Sequence, residues 1–526
     1  MRASDLPLYY NAVDILERNL AARADKVALY SLEREMTFRQ VSEEANQVGG
    51  ALRGLGVRIG EYVGLLSLDG PEWVTSFFGT LKIGAIAVGM NTLLTPREYA
   101  YMLNDSRARV LIVHESLVPA IEEVRDQLPF LEHIIVIGPN GREGYRSYTD
   151  WIRSQPTELQ TVGTHRDDFC SLNYSSGTTG QPKGILHAHK DYPLTAQLWG
   201  VNVLGLREDD RTFAVAKLFF TFGLGGNLIF PWYAGASVVL FAGAPRIVEN
   251  VLKTIDRFKP TILYNAPTGY AAALAQDELT EKYDLSSLRL CASAGEALPA
   301  PIWHAWKERT GVDIIDGIGS TENFHIFLSN RPGDIRPGSS GKPFDGYELR
   351  IVDEQGSELP RGEVGNLWVK GQTAALFYLH EYEKSQQTFR GEWLVTGDKY
   401  YIDEDGYYWH AGRSDDMLKV GGIWVSPVEV ESTLLSHPAV LECAVVGQAD
   451  DANLIKPKAF VTLKSGYSPS DGLAQEMIEF CREQMAAYKR PRWIEFVAEL
   501  PKTATGKIQR FRLREESRPG GSALEP

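Results

Sequence analysis

Hydrophobic residues recur at helical spacing in three segments of the first half of the chain, 37–55, 73–83 and 247–257. Short apolar runs between and after these segments predict buried strands at 62–66, 110–114, 213–216, 237–241, 261–264 and 288–293. Strands that alternate with helices in this way are typical of parallel sheets covered by helices on both faces. The pattern therefore predicts an α/β fold with a large N-terminal domain of doubly wound sheets.

The pattern changes from about Gly338 onward, where short strands alternate with turns. Strands are predicted at 347–352, 365–370 and 407–410, and turn-forming residues cluster at 353–356 and 403–406. These features predict a small β-rich subdomain at about 338–411.

A polar turn at 412–416 separates this subdomain from a third pattern. Ser426 and Pro427 predict the start of a helix that runs towards residue 435. Strands at 439–447, 458–463 and 493–497 and a helix near 474–487 complete a compact α+β unit. The predicted organisation is an N-terminal domain at 1–413, a connection at 414–415 and a small C-terminal domain at 416–526.

Composition places the chain among globular proteins, since 44% of its 526 residues are hydrophobic and 23% are charged. Acidic and basic residues interrupt the apolar positions of residues 1–20, which disfavours a signal or transit peptide. Apolar runs such as 230–244 are too short to span a bilayer. The predicted location is the cytoplasm, without a membrane partner.

Charge and cysteine usage narrow the candidate chemistry. A net charge of −14 disfavours nucleic-acid binding, which needs a basic surface. The cysteines are Cys170, Cys291, Cys443 and Cys481, which lie far apart in the sequence and are predicted to be core residues. His187 and His189 would share one face of a strand, and a structural role is favoured for them over metal binding.

The densest cluster of candidate chemistry lies at 174–184. It contains Ser175, Ser176, Gly177, Thr178, Thr179, Gly180 and Lys183. Glycines let backbone N–H groups approach phosphate oxygens, hydroxyls add donors, and the lysine adds a positive charge. Lys183 does not directly follow the second glycine, and the apolar run after it predicts a strand, which excludes a Walker A loop. A nucleotide-binding loop between two strands is predicted, with an ordinary small-residue turn as the alternative interpretation.

Four further motifs follow in order along the chain. They are Gly-Ile-Gly-Ser-Thr-Glu at 317–322, Thr-Gly-Asp at 396–398, Gly-Arg-Ser-Asp-Asp at 412–416 and Pro-Lys-Thr-Ala-Thr-Gly-Lys at 501–507. With the loop at 174–184 they make the chain resemble, over most of its length, the adenylate-forming superfamily of acyl-CoA synthetases, luciferases and peptide-synthetase adenylation domains. The runs at 216–220, 319–330 and 501–511 are similar to benzoate-CoA ligases and related aryl-acid ligases.

The resemblance implies a reaction in two steps. A carboxylate and MgATP give an acyl-adenylate and pyrophosphate, and coenzyme A then displaces AMP to form a thioester. The expected cofactor is Mg²⁺, and the expected small-molecule partners are an aromatic carboxylate, ATP and CoA; a monomer or a homodimer is expected. Such a site must stabilise charge on a pentacoordinate phosphorus rather than supply a covalent nucleophile.

The resemblance also implies a role for each motif at the nucleotide. The β- and γ-phosphates would be held by Ser175, Thr178, Thr179 and Lys183, with Ser176, Gly177 and Gly180 in the same loop. Thr321 would bond the α-phosphate and Glu322 would hold Mg²⁺; a carboxylate at a helix start is the alternative for Glu322. Asp398, on a turn after 393–395, would accept from both ribose hydroxyls, or serve only as a turn residue. Arg413 would approach the ribose or phosphate, and adenine would be framed by Gly295, Glu296, Asp316 and Gly317.

The C-terminal motifs imply a moving domain. Lys507 would reach the reacting carboxylate and the α-phosphate and then be withdrawn, with Asp415 as the hinge of a mobile lid domain. Lys419, Gly421 and Gly422 would face the active site in the thioester-forming state and bind CoA. Without the resemblance, Asp415 would be a linker acid and Lys507 a surface lysine.

The acyl pocket is implied by resemblance alone. Its expected lining is Phe220, Thr221, Phe222, Ala266, Pro267, Tyr270, Ala294, Asn323, His325 and Ile326, with Phe220 as a gate. Core packing is the alternative role for each of these residues. Thr221 and Phe222 stand where benzoate enzymes often have Ala-Tyr, and Asn323 stands where an apolar residue is common. These departures predict a ring substituent that forms hydrogen bonds.

The predicted function is an ATP-dependent ligase that joins CoA to benzoate or to a hydroxy- or amino-substituted benzoate. A ligase for cyclohexane carboxylate or another small or medium-chain acid is the alternative. A peptide-synthetase module would need a carrier domain after Lys507, and a luciferase-like oxygenase would be expected to end in Ser-Lys-Leu. An inactive acyl-binding protein would be expected to lack Lys507 or Glu322, and both are present.

Overall fold

A computed structural model describes residues 1–138, 144–175, 182–244, 247–413, 416–420, 423–450, 454–502 and 508–516. Its strands are β1 Val27–Tyr30, β2 Glu35–Thr37, β3 Tyr62–Leu66, β4 Ile86–Gly89, β5 Val110–His114, β6 His133–Ile137, β7 Arg146–Ser147, β8 Phe169–Ser175, β9 Lys183–Ala188, β10 Arg211–Ala214, β11 Ser237–Val239, β12 Ile262–Asn265, β13 Leu290–Ser293, β14 Ile314–Gly319, β15 Ile326–Ser329, β16 Lys342–Pro343, β17 Tyr347–Val352, β18 Gly365–Gly371, β19 Phe389–Arg390, β20 Trp393–Ile402, β21 Tyr408–Arg413, β22 Leu418–Val420, β23 Ile423–Val425, β24 Val440–Ala449, β25 Ile455–Leu463 and β26 Trp493–Phe496. Its α-helices are α1 Asp14–Glu17, α2 Leu20–Arg23, α3 Phe38–Gly54, α4 Pro71–Lys82, α5 Pro96–Ser106, α6 Val118–Glu122, α7 Tyr148–Arg153, α8 Asp191–Thr195, α9 Thr221–Leu224, α10 Phe230–Tyr233, α11 Val248–Phe258, α12 Pro267–Leu274, α13 Leu279–Lys282, α14 Ala300–Thr310, α15 Tyr382–Thr388, α16 Pro427–Leu435, α17 Asp471–Gln484 and α18 Arg510–Glu516.

The first sheet has seven strands in the order β7-β6-β5-β3-β4-β8-β9. Adjacent strands of this sheet run parallel, except that β9 runs antiparallel to β8. Helix α3 begins with a capping box, since the Thr37 hydroxyl accepts from the Gln40 N–H and Gln40 bonds back to the Thr37 N–H. The β8–β9 pair places the ends of the predicted phosphate loop at one edge of this sheet.

The second sheet has nine strands in the order β16-β15-β14-β13-β12-β10-β11-β1-β2. The six consecutive strands from β14 to β1 in that order are parallel to one another. The outer strands β16, β15 and β2 run antiparallel to their neighbours. Ligands of open parallel sheets bind beyond the carboxyl ends of the strands. The loops after β12, β13 and β14 therefore mark the expected site.

A π-helical segment, Gly225–Ile229, joins α9 to α10 next to that edge. A Cβ at Gly225 would lie 2.5 Å from the His325 ring, and one at Gly226 would lie 2.8 Å from the Tyr264 ring. Glycine at both positions allows the helix to pack directly against β12 and the segment before β15. Single-turn π segments occur frequently at functional sites.

The β-rich region forms a five-stranded antiparallel sheet in which β21 pairs with β20. The prediction that Asp398 lies on a turn after 393–395 is wrong, because β20 runs unbroken from Trp393 to Ile402. Gly397 has φ of +77° and the ladder shifts register beyond Asp398, so the strand accommodates the Thr-Gly-Asp motif as an irregularity.

The C-terminal region contains the three-stranded sheet β24-β25-β26 and the hairpin β22-β23. Helices α16 and α17 cover the sheet around a separate core that includes Val430, Val445 and Met477. Ser426 caps α16 as predicted, since its hydroxyl accepts from the Glu429 N–H. A large N-terminal part with doubly wound sheets and a small α+β part at the C-terminus confirm the predicted fold class.

Several finer predictions about the fold have different outcomes. All four cysteines are free and buried, as predicted for core residues. The domain boundary and the hinge at 414–415 stay predictions, because those two residues lie outside the described ranges. Within the described part of the chain, no helix combines the length and the apolar character that crossing a bilayer requires.

Candidate functional site

The described residues enclose a cavity of about 880 Å³ at the carboxyl ends of the second sheet. Loops after β10, β12, β13 and β14 contribute to its walls, together with Thr92, Leu93, Asn173 and Tyr174 from the first sheet. Both sheets therefore meet at one site, as the topology of parallel strands leads us to expect.

The predicted phosphate loop begins and ends on paired strands. Ser175 and Lys183 are direct partners in the β8–β9 ladder. Burial, with the charges of Lys384 and Arg413, lowers the pKa of Lys183, and the charge of Glu322 partly opposes this. The charges of Glu322 and Arg413, which belong to two other predicted motifs, therefore act on the Lys183 ammonium.

Thr321 and Glu322 lie in a one-turn 3-10 helix, Thr321–Asn323, that Ser320 caps through its hydroxyl. The Thr321 carbonyl accepts from Nε2 of His187 at 2.7 Å, and Nδ1 of His187 contacts the Asp191 carboxylate at 3.0 Å. His187 therefore has a structural role, because it fixes this turn against the end of β9.

Tyr378 connects Glu322 with Lys183, and sequence reasoning missed it. The phenol O–H donates to Glu322 Oε1 at 2.7 Å, and Lys183 Nζ lies 5.3 Å from the centre of the phenol ring. Burial and the charge of Glu322 raise the pKa of Tyr378 above its usual range, so the phenol remains a hydrogen-bond donor.

Asp398 and Arg413 face each other as register partners on β20 and β21. Arg413 Nη1 lies 3.0 Å from Asp398 Oδ1, and His410 Nε2 lies 3.7 Å from the same oxygen. Burial raises the pKa of Asp398, but Arg413 and His410 outweigh it, and the net pKa is below the usual value. The carboxylate is therefore held ionised, as an acceptor of two hydroxyls would need to be.

The four residues predicted to frame adenine divide into two groups. Gly295 and Glu296 line the cavity. Asp316 and Gly317 are not among the lining residues, since Gly317 pairs with Ser329 in the β14–β15 ladder and Asp316 is buried within β14. Because β14 continues to Gly319 and holds their backbone in the sheet, a role for these two residues beside adenine stays a prediction.

Burial raises the pKa of the Asp316 carboxyl to about 8 from 3.8, which hydrogen bonds from the Ser293 side chain and two backbone N–H groups only partly oppose. The folded protein then binds a proton that the unfolded chain releases between these values, so this group lowers the free energy of unfolding as pH rises. We expect Asp316→Asn to flatten the fall in Tm between about pH 5 and pH 8. Thermal unfolding across that range measures this, with Asp313→Asn as the control; parallel curves for wild type and Asp316→Asn would contradict the assignment.

Most of the predicted acyl-pocket residues line the cavity. They are Phe220, Thr221, Phe222, Ala266, Ala294, His325 and Ile326. The Phe222 and His325 rings lie 5.3 Å apart, and His325 Nε2 donates to the Phe222 carbonyl at 3.2 Å. Burial lowers the pKa of His325 to about 3, which that bond only partly opposes, so the ring is neutral. An uncharged wall of this kind suits a flat aromatic ring.

Three predicted pocket residues do not line the cavity. Tyr270 is fully buried in the core behind it, where its hydroxyl donates to the Ala292 carbonyl at 2.9 Å. Pro267 and Asn323 are also absent from the walls. Helix α12 lines the cavity with Thr268, Gly269, Ala272 and Ala273 instead. The pocket roles predicted for Tyr270, Pro267 and Asn323 therefore have no support from the cavity lining and stay predictions.

Several polar residues on the walls were not predicted, among them Asn265, Asp69 and Lys217. Asn265 ends β12, and its Oδ1 accepts from the Ala266 N–H at 2.9 Å. Asp69 accepts the Leu218 N–H on both carboxylate oxygens at 3.2 Å, and Lys217 Nζ donates to the Gly243 carbonyl at 2.7 Å. Burial raises the pKa of Asp69 to about 6, against the opposing charge of Lys217. Asp69 and Lys217 anchor the segment that carries Phe220.

The C-terminal part closes one side of the cavity with Glu442, Glu499 and Lys502. The N–H of Ile508 donates to Glu296 Oε1 at 3.2 Å, which joins the residue after Lys507 to the predicted adenine site. Ion pairs flank segment 503–507: Lys502 contacts both oxygens of Glu442 at 2.8 Å, and Arg510 binds Glu431 through two nitrogens.

Other predicted site residues lie outside the described ranges or have undescribed side chains. They are Ser176, Gly177, Thr178, Thr179, Gly180, Asp415, Gly421, Gly422 and Lys507, and the side chain of Lys419. Their assignments remain predictions.

Comparison with known protein families gives matches over most of the chain. Residues 16–379 match the model described as AMP-binding enzyme, and residues 429–507 match that of the AMP-binding enzyme C-terminal domain. The chain belongs to the AMP-binding enzyme family. The resemblance predicted from the motifs is therefore confirmed.

Individual members of the family narrow the comparison. The chain is 46% identical to a benzoate-CoA ligase of Thauera aromatica, over 97% of each chain. It is 40% identical to a 4-hydroxybenzoate-CoA/benzoate-CoA ligase of Rhodopseudomonas palustris, over 98% of this chain and 96% of the relative. The crystal structure of the anthranilate CoA ligase AuaEII in complex with anthranoyl-AMP superposes with a TM-score of 0.96 and 72% identity, covering 98% of this chain and 99% of that one.

Proposed function

We propose that 2-aminobenzoate (anthranilate) is the preferred acid of this chain, which joins an aromatic acid to CoA through an acyl-adenylate with cleavage of ATP. The observation that carries the proposal is the position of the aromatic-walled pocket. Phe220, Phe222 and His325 line the same cavity as Glu296 and Thr321. A ring bound between those aromatic residues would present its carboxylate to the nucleotide motifs.

Two displacements account for the products. A carboxylate oxygen attacks the α-phosphorus of ATP, and the bond to pyrophosphate breaks. The sulfur of CoA then attacks the acyl carbon, loses its proton, and AMP leaves with the electron pair of the acyl–oxygen bond. Ser175, Lys183 and Thr321 would bind the phosphates, and Asp398 with Arg413 would hold the ribose.

Glu322 would hold Mg²⁺ in this proposal. Among the described residues no three His, Cys, Asp or Glu side chains are grouped as a metal site. The single carboxylate of Glu322 is a hard oxygen donor of the kind Mg²⁺ binds, and it adjoins Thr321, the predicted α-phosphate ligand. These features fit an ion held mainly by nucleotide phosphates, which supplies charge neutralisation when bound.

The choice of 2-aminobenzoate rests on two kinds of support. The anthranilate CoA ligase shares 72% identity with the chain over nearly all its length. Thr221 and Asn265 place a hydroxyl and an amide among the residues that line the cavity with Phe220, Phe222 and His325, where a ring substituent could form hydrogen bonds. Thr221 was predicted to bind the substituent together with Asn323; Asn265 takes the place of Asn323 in the proposal because Asn323 does not line the cavity.

We expect kcat/KM for 2-aminobenzoate to exceed that for benzoate by about tenfold or more, because a polar wall group without a partner disfavours the bare ring. AMP release with MgATP and CoA should be compared for 2-aminobenzoate, 2-hydroxybenzoate, 4-hydroxybenzoate, benzoate and cyclohexane carboxylate. Thr221→Val should lower the ratio of kcat/KM for 2-aminobenzoate to kcat/KM for benzoate, while leaving the rate with benzoate nearly unchanged. A preference for benzoate would reject the amino substituent, and activity on aliphatic acids alone would reject the aromatic pocket.

The remaining assignments belong to the same proposal. Lys507 would act in adenylation, Asp415 would be the hinge of the C-terminal domain, and Lys419, Gly421 and Gly422 would bind CoA in the second step. Cytoplasmic location and a monomeric or homodimeric state are proposed with them.

A further inference from the structure

The side chain of Tyr378 contacts two residues that are predicted to bind the nucleotide, Glu322 and Lys183. Its hydroxyl donates to Glu322 at 2.7 Å, and its ring lies 5.3 Å from Lys183 Nζ. It is nearly fully buried, with its ring 5.2 Å from that of Phe389. The contact of the hydroxyl with Glu322 is not needed to bury an aromatic ring, because phenylalanine would pack equally well at that position.

The backbone around Tyr378 is tied to the same two motifs. Tyr378 forms an antiparallel bridge with Ile185, and the Leu379 N–H donates to the Gly184 carbonyl at 2.8 Å. On the other side the Ala375 N–H donates to the Glu322 carbonyl at 2.7 Å. Segment 375–379 therefore connects the strand that starts at Lys183 with the turn that carries Glu322.

We propose that Tyr378 is a positioning residue that holds the Glu322 carboxylate and the Lys183 ammonium in place for the phosphates and Mg²⁺ of bound ATP. The inference rests on the proposed ATP-dependent function and deepens it. The hydroxyl acts on Glu322, since a hydrogen bond to a carboxylate restricts its orientation. The ring acts on Lys183, since a cation near an aromatic face is attracted to it.

The two contacts predict different effects on nucleotide binding. Tyr378→Phe removes the hydroxyl and keeps the ring, so it should raise Kd for MgATP about tenfold and leave Kd for ATP in EDTA within about twofold. Tyr378→Leu removes both contacts, so it should raise both dissociation constants. Calorimetry with neither acid nor CoA present measures these values without turnover.

A double-mutant cycle tests whether Tyr378 acts through Glu322. In a Glu322→Gln background, Tyr378→Phe should change the MgATP Kd by less than about twofold, since the carboxylate it orients is gone. Tyr407→Phe is the matched control, because that hydroxyl donates to Asp334, away from the cavity. Its MgATP Kd should equal that of wild type.

The outcomes separate this inference from the proposed function. Wild type that fails to bind MgATP would overturn both. Wild type that binds MgATP, with an unchanged Kd in Tyr378→Phe, would overturn only the role of Tyr378. Equal losses of affinity for MgATP and for ATP in EDTA in Tyr378→Phe would overturn that role as well, because they would indicate a general packing effect.

Discussion

Replacing Lys507 by alanine should reduce acyl-adenylate formation by about 10²- to 10³-fold, while thioester formation from supplied acyl-AMP stays within a few-fold of wild type. The expected loss is confined to the first step, because a lysine charge near the α-phosphate stabilises the displacement of pyrophosphate. Exchange of labelled pyrophosphate into ATP measures the first step, and CoA consumption with synthetic aryl-AMP measures the second.

The structure supports this expectation through the residue next to Lys507. The Ile508 N–H bonds to Glu296 on the cavity wall, and ion pairs of Lys502 and Arg510 flank segment 503–507. Lys489→Ala is the matched control, since that lysine pairs with Glu429 on the surface of the same region. Equal damage to both half-reactions in Lys507→Ala would contradict the assigned role.

Asp398→Asn should raise KM for ATP by about 10- to 100-fold with little change in KM for the aromatic acid. The amide offers one acceptor oxygen where the carboxylate offers two, and it removes the negative charge that lies 3.0 Å from Arg413 Nη1. Initial rates at varied ATP and varied acid separate the two constants.

Asp403→Asn is a suitable control for Asp398→Asn. Asp403 follows the end of β20 and accepts from Trp409 Nε1 at 2.8 Å, and it does not line the cavity. An equal rise of both KM values in Asp398→Asn, or a rise in the control, would indicate a folding defect rather than a lost nucleotide contact.

Three strands were predicted to the residue. The apolar runs 62–66 and 110–114 coincide with β3 and β5, and the alternating segment 347–352 coincides with β17. The first two are buried on nearly every position, so hydrophobicity alone defines their length. By contrast, the turn predicted at Asp398 lies within β20, because sequence cannot distinguish a glycine such as Gly397 that ends a strand from one that bends it.

The order of the nucleotide motifs was enough to predict the family, but the residues of the cavity wall were only partly predictable. Helix α12 shows why: Thr268, Ala272 and Ala273 line the cavity, while Tyr270 between them in sequence is buried in the core. Both faces of this helix are apolar or small, so periodicity has nothing to orient it. Tyr378 was missed for a different reason, because its partners Glu322 and Lys183 are distant in sequence and meet it only through tertiary packing.

Ile508 makes two separate contacts with its side chain and its backbone. The side chain packs against the small core that contains Leu500 and Leu513, while the N–H donates to Glu296 on the cavity wall. Substitutions between aliphatic residues at position 508 should therefore be tolerated during divergence, because any of them retains the N–H. Proline would be the exception, since it could fill the apolar site and still lose the hydrogen bond to Glu296.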